Sequence, residues 1–235
     1  MFLSKLAVNP RDRQARFDLA RPYELHRTIL TRGFDGVAKA EIGRVLHRVD
    51  TDRDGANPVI LVQSDREPHW ALPPGYLRSP SEHKRFDLEV TAEQRLRFRL
   101  RANPTKRVHE RATSRPEGPV EAKWAGKRVG LLREEDQLRW LLHKGDKGGF
   151  RIPGHWVDAE DAETAAPIRL PNFRVDVIPE GNARHGKPGF DGTLVAVRYE
   201  GVLVVTDPDA FRRTVATGVG SAKGYGFGLL SIAPA

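Results

Sequence analysis

Residues 95–103 read RLRFRLRAN, an alternation without a fault: Arg95, Arg97, Arg99 and Arg101 fall on one side, Leu96, Phe98 and Leu100 on the other. Successive side chains of a strand point to opposite faces, so this run is a strand with one apolar and one basic face. Such a strand belongs to an antiparallel sheet that covers a core with one side only, since strands of parallel sheets are apolar on both. At ~3.3 Å per residue the four guanidinium bases span roughly 20 Å, a length comparable with several phosphate spacings on a nucleic-acid strand. A phosphate track and a plainly solvated face both satisfy the pattern.

Around this strand, runs of helical and strand period alternate. A strand is predicted over 2–9, stopped by Pro10, then a short helix over 11–20 and a second helix that begins at Pro22 and runs through PYELHRTIL. VLHRVD (45–50) and PVILVQS (58–64) read as strands joined by the turn-rich TDRDGAN. Residues 65–94 contain Pro68, Pro73, Pro74, Gly75 and Pro80, which predicts a long irregular segment with at most a short helix. With 95–103 as closing strand, residues 1–104 form a βαββαβ, ferredoxin-like unit whose second helix is eroded. The polar, Pro- and Gly-punctuated stretch 105–126 is the expected linker. In 127–235 follow an amphipathic helix (133–144), strands at 173–179, 193–200 and 202–207, a helix with an Asp207 cap and Pro208 at its first position, and a last strand over 226–232. The expected fold class is α+β: two ferredoxin-like units in tandem, with antiparallel sheets.

Composition narrows the function. The 235 residues suffice for two such units with proper cores. There is no cysteine, which excludes disulfides, thiolate metal sites, iron–sulfur clusters and cysteine nucleophiles. No apolar run approaches the ~18 residues of a membrane span, so no membrane partner is expected and the cytoplasm is the expected compartment. The 39 Lys and Arg against 31 Asp and Glu leave a net charge of +8, and arginine far outnumbers lysine. That balance favours polyanions, nucleic acid above all, although a GC-rich genome enriches arginine too. The 8 histidines show no H-x-x-x-H or HExxH spacing. The acidic cluster Asp158, Glu160, Asp161 and Glu163 falls in an expected loop and reads as solvated; no bound metal and no cofactor are expected. No G-x-S-x-G elbow supports a serine hydrolase.

Three stretches carry candidate chemistry. On the helix from Pro22, His26 falls between Ile29 and Leu30 in the apolar arc, with Tyr23 one turn behind. A hydrogen-bonded core histidine explains it, and so does a proton-transfer residue at a phosphate, with Arg27 and Arg32 supplying positive charge. An imidazole of ordinary pKa near 6.5 can give and take the protons that transphosphorylation of RNA requires. GVGSAKGYGFG (218–228) places five glycines around Lys223; it is neither a Walker loop nor a dinucleotide fingerprint, because it follows a helix and leads into a strand. Either a tight connection or a close approach of backbone to a phosphate suits it. Finally, Arg169, Arg174, Arg184, His185 and Lys187 lie on and around the long hairpin with tip EGNARHGKPGFDG, and a protruding basic ribbon can enter a nucleic-acid groove.

In this order, LSKLAVNP, PYELHRTIL, RLRFRLRANP and GVGSAKGYGFGLLSIAP resemble the CasE family of CRISPR RNA-processing endoribonucleases from type I-E systems, essentially from end to end. The resemblance implies a RAMP-type tandem ferredoxin-like protein that binds the repeat stem-loop of precursor CRISPR RNA. It implies a cut at the 3′ base of the stem without metal, leaving a 2′,3′-cyclic phosphate and a 5′-hydroxyl, after which the protein stays with its product in the Cascade complex. No direct DNA partner is implied. By motif position His26 is the main proton-transfer residue and Tyr23 its partner; Gly220, Lys223 and Gly224 belong to a loop near the RNA. Arg27, Arg32, Arg169, Arg174, Arg184 and Lys187 are the expected RNA contacts, with the basic hairpin entering the major groove of the stem near its end, where A-form geometry gives easiest access. Two rivals remain: a non-catalytic RNA-binding subunit of the same fold, and an RNA-associated structural protein.

Overall fold

The structure is a computed structural model and describes residues 1–51, 56–108, 126–160, 167–184 and 192–235. The first sheet is built from β1 (Phe2–Ala7), β2 (Val45–Asp50), β3 (Val59–Ser64) and β4 (Glu82–Arg85), all antiparallel, in the order β2-β3-β1-β4. Between β1 and β2 lie α1 (Arg13–Leu19), α2 (Pro22–Gly33) and the short α3 (Lys39–Ile42). Asp12 opens α1 by accepting the Ala15 amide at 2.8 Å, and Pro22 opens α2 at a position whose N–H would have no helical partner. Leu25 and Ile29, one turn apart on α2, are buried with Leu6, Ile60 and Val62 of the sheet.

The second sheet has the order β11-β12-β5-β13, from β5 (Arg95–Ala102), β11 (Val175–Arg184), β12 (Thr193–Val205) and β13 (Leu230–Pro234), with β8 (Phe150–Arg151) on the end of β12. Helices α4 (Glu134–Gly148) and α5 (Pro208–Thr217) fall between β5 and β11 and between β12 and β13. That is the βαββαβ order, and the first sheet repeats it with β4 as closing strand and no helix between β3 and β4. Leu96, Phe98 and Leu100 of β5 are buried with Leu141 of α4 and Phe211 and Val215 of α5. The α5 cap is as expected: the Asp207 carboxylate accepts the amides of Asp209 and Ala210 at 2.9 and 3.0 Å.

Strand pairing corrects one expectation. β5 does not close the first sheet; Leu100 lies opposite Tyr199 of β12 and Phe98 opposite Ile232 of β13, so β5 opens the second sheet and the division at residue 104 does not match the pairing. The true closing strand, EHKR, is exposed at all four positions and has no apolar face to betray it. Of the expected linker 105–126, residues 109–125 lie outside the described residues, and its flanks pair as β6 (Thr105–Arg107) and β7 (Arg128–Gly130). The runs 193–200 and 202–207 are a single strand through Gly201. A further hairpin, β9 (Gly154–Glu160) with β10 (Pro167–Phe173), stands where a loop was expected, so Asp158 is a strand residue; Asp161 and Glu163 lie outside the described residues.

The two sheets meet through buried polar groups. Arg48 of β2, 3% exposed, holds Asp50 and donates to the carbonyls of Arg99 and Leu229, both at 3.3 Å. Gln63 of β3 donates to the Val215 carbonyl of α5 at 2.8 Å. Half of the basic row of β5 is neutralised internally: Arg99 pairs with Glu200 and Asp50, and Arg101 with Glu180. No helix among the described residues is long and apolar enough to cross a membrane.

Candidate functional site

Because Leu25 and Ile29 face the sheet, His26 between them lies at the edge of that face, half-buried. Opposite it stands His47, which the period of β2 places on the same side as Val45 and Val49, toward α2. The two imidazoles stack, with centroids 5.7 Å apart and planes 18° from parallel. His47 is fully buried, and neither of its ring nitrogens, nor Nδ1 of His26, has a hydrogen-bond partner among the described residues.

The glycine-rich loop supplies the other wall. Phe227, fully buried against Leu194 and Ala196 of β12, anchors it, and a single 3-10 turn at Lys223–Tyr225 passes over the histidines. A Cβ on Gly224 would sit 3.3 Å from His26 Nε2, so glycine is what lets the backbone come this close. Gly226, in the left-handed region at φ +82, lies beside His47 and the Arg101 guanidinium. Lys223 donates to the Thr217 carbonyl at the end of α5, at 2.6 Å.

The surroundings are cationic. Burial, and secondarily the ammonium of Lys39, hold the His26 pKa below its ordinary 6.5; burial, His26 and Arg101 hold that of His47 down to about 3. Burial lowers the Lys223 pKa, with Arg44 and Lys144 adding to the effect. A neutral imidazole among fixed positive charges can accept a proton while an anion is held beside it. Among the described residues no group of three or more His, Cys, Asp or Glu side chains could hold a metal ion.

The model of a family described as CRISPR associated protein matches residues 1–234. A CRISPR-associated endoribonuclease Cse3 of Thermus thermophilus is 38% identical over 243 residues, covering 100% of both chains. The chain belongs to the CasE family. A second relative, the CRISPR system Cascade subunit CasE of Escherichia coli, is 31% identical over 64% of each chain. Among solved structures, Thermus thermophilus Cse3 bound to an RNA representing a pre-cleavage complex superposes with a TM-score of 0.76 at 35% identity, over 99% of this chain and 98% of that one.

Of the residues the CasE motifs marked, the fold brings His26 together with Gly224, while the ammonium of the neighbouring Lys223 turns to the Thr217 carbonyl. Tyr23 is half-buried one turn before His26, and its hydroxyl makes no hydrogen bond among the described residues. Arg27 is exposed and paired with Glu24 at 2.9 Å; Arg32 is exposed in the last turn of α2. Gly220 adopts φ +81 against the Trp140 ring. Arg169 lies on β10, not on the long hairpin, exposed and paired with Asp158 at 3.1 Å. Arg174 sits at the turn between β10 and β11, and Arg184 ends β11 opposite Thr193. His185 and Lys187 lie outside the described residues. Sequence reasoning missed His47 and Lys39, and read Arg101 only as one of the β5 row. His47 was legible, since period two in VLHRVD sets it beside Val45 and Val49; the approach of Lys39 and Arg101 depends on tertiary contacts.

Proposed function

We propose that this protein is an endoribonuclease that cuts the repeat stem-loop of precursor CRISPR RNA at the 3′ base of the stem without a metal ion, in the cytoplasm, and remains with the product in a Cascade complex. The observation that carries the reading is the His26 ring held between His47 and the Gly224 backbone, with Lys39 as the facing charge that acts on it. Its support is the family's Cse3 member, named an endoribonuclease and similar along the whole chain, and the Cascade subunit CasE.

In this reading neutral His26 takes the proton of the 2′-hydroxyl as that oxygen attacks the adjacent phosphorus. The P–O5′ bond breaks, leaving a 2′,3′-cyclic phosphate, and the 5′-oxygen leaves with a proton returned by the imidazolium or by Tyr23. Lys39, whose charge acts on His26, offsets the charge of the phosphorane, and a fixed cation strengthens as RNA displaces water from the cleft.

The test is product analysis. Repeat RNA incubated with the wild-type protein in EDTA is expected to give two discrete fragments, the 5′ one ending in a cyclic phosphate by mass. Binding without cleavage overturns the nuclease reading in favour of an RNA-binding subunit.

A further inference from the structure

A groove of about 420 Å³ runs between α4, α5, the β6–β7 ribbon and the glycine-rich loop. Among the described residues five cations line it, Arg107, Arg128, Lys144, Lys147 and Lys223, and no carboxylate does. Trp140, which Gly220 approaches closely and over which Lys144 lies at 5.7 Å, forms its floor.

Arg99 and Arg101 of β5 are matched by Glu180, Glu200 and Asp50, whereas Arg107, Arg128, Lys144 and Lys147 have no ion pair among the described residues. Gathering like charges in a partly buried groove is unfavourable without an anion to compensate them. The strain is visible in the lysines: burial, then Lys147 and Arg128, lower the pKa of Lys144, and Lys144 in turn contributes to the lowering at Lys223.

Two further facts specify the anion. Lys223, which lines the groove, is the chain neighbour of Gly224, whose backbone passes close to the His26 ring, so the groove opens one residue along the loop from the proposed reacting phosphate. Its volume is that of a small-ligand pocket, the scale of a few backbone groups of one strand. A basic channel that follows one backbone is the way sequence-tolerant single-strand sites are built. We propose that this groove binds the sugar–phosphate backbone of the single-stranded RNA that continues beyond the stem, next to the cut. The proposal rests on the endoribonuclease reading and adds a second subsite to it.

The test uses the full chain and three RNAs: the stem-loop alone, the stem-loop with a single-stranded 3′ extension, and the stem-loop with a 5′ extension. A 2′-deoxy substitution at the attacking position keeps them uncut. Wild type is expected to bind one extended RNA more tightly than the bare stem-loop, and the extension that gains identifies the strand in the groove. Lys144→Gln with Lys147→Gln, and separately Arg128→Gln on the opposite wall, are expected to remove that gain while leaving the bare stem-loop unchanged. The salt slope for the extended RNA should flatten by ~0.7 for each phosphate deprived of its cation. No gain from either extension, or equal weakening of all three RNAs, overturns the groove. Cleavage of the all-ribose RNA by wild type is scored in parallel: its failure sinks the endoribonuclease reading, whereas cleavage with no extension effect sinks the groove alone.

Discussion

The ring of His26 lies on the ring of His47, 5.7 Å away and only 18° from parallel, so one imidazole of the pair is wholly buried and the other half-open to the cleft. Two protonated rings at this distance would repel, and burial already excludes charge from His47. The pair therefore works with His47 neutral and with His26 as the group that can reach RNA.

A stability effect follows from His47. Its pKa is near 6.5 in the unfolded chain and about 3 in the folded one, so between those values the unfolded state binds the extra proton. The contribution is complete above pH 6.5 and is lost as pH falls toward 3, at up to ~1.4 kcal/mol per pH unit. Denaturant unfolding at pH 7 and pH 5 should show this slope, and His47→Phe should flatten it. An unchanged slope in the variant would place the acid sensitivity elsewhere.

For His26 the sign reverses once RNA arrives. Free enzyme should titrate this ring below 6.5, because burial and Lys39 disfavour its charge. A phosphate beside the ring favours the charged form and should move the titration upward. NMR titration of the histidine ring protons, with and without uncleavable 2′-deoxy RNA, reads both shifts.

Gly224→Ala places a methyl group 3.3 Å from His26 Nε2. The ring must give way by a few tenths of an ångström, and displacement of that kind costs on the order of tenfold in the chemical step. Single-turnover cleavage is expected to slow while the melting temperature changes little, since nothing strains the backbone at this position. Full-speed cleavage by the variant would mean that the loop does not hold the ring.

Arg48 ties the two sheets together from a buried position, so Arg48→Met leaves the Arg99 and Leu229 carbonyls without their donor. Removing one partner from such a buried network costs about 3 kcal/mol. Equilibrium unfolding measures it, and a loss well under 1 kcal/mol would show that the sheets are held by their apolar contacts.

Much of this architecture could be read from periodicity. The alternation of residues 95–101, the capped helix after Asp207 and the Pro22 helix start each appear in the structure. What periodicity could not see was β4, whose four residues are all exposed, and hence the sheet to which β5 belongs. The arginine row on β5 was legible as a row, but its pairing with Glu180 and Glu200 depends on partners roughly 80 to 100 residues away. At the site, His26 and the glycine loop were legible because helix phase and glycine density are local. The stacking on His47 was not, because it joins an edge strand to a helix through tertiary packing.

The central claim is that His26 moves the protons of RNA cleavage. The measurement is single-turnover cleavage of repeat stem-loop RNA in EDTA by wild type and by His26→Ala, with RNA affinity determined for both. The expected result is discrete cleavage by wild type and a rate lower by roughly 10²–10⁴-fold in the variant, as for loss of a general acid–base group, with binding retained. Cleavage by His26→Ala at the wild-type rate would contradict it.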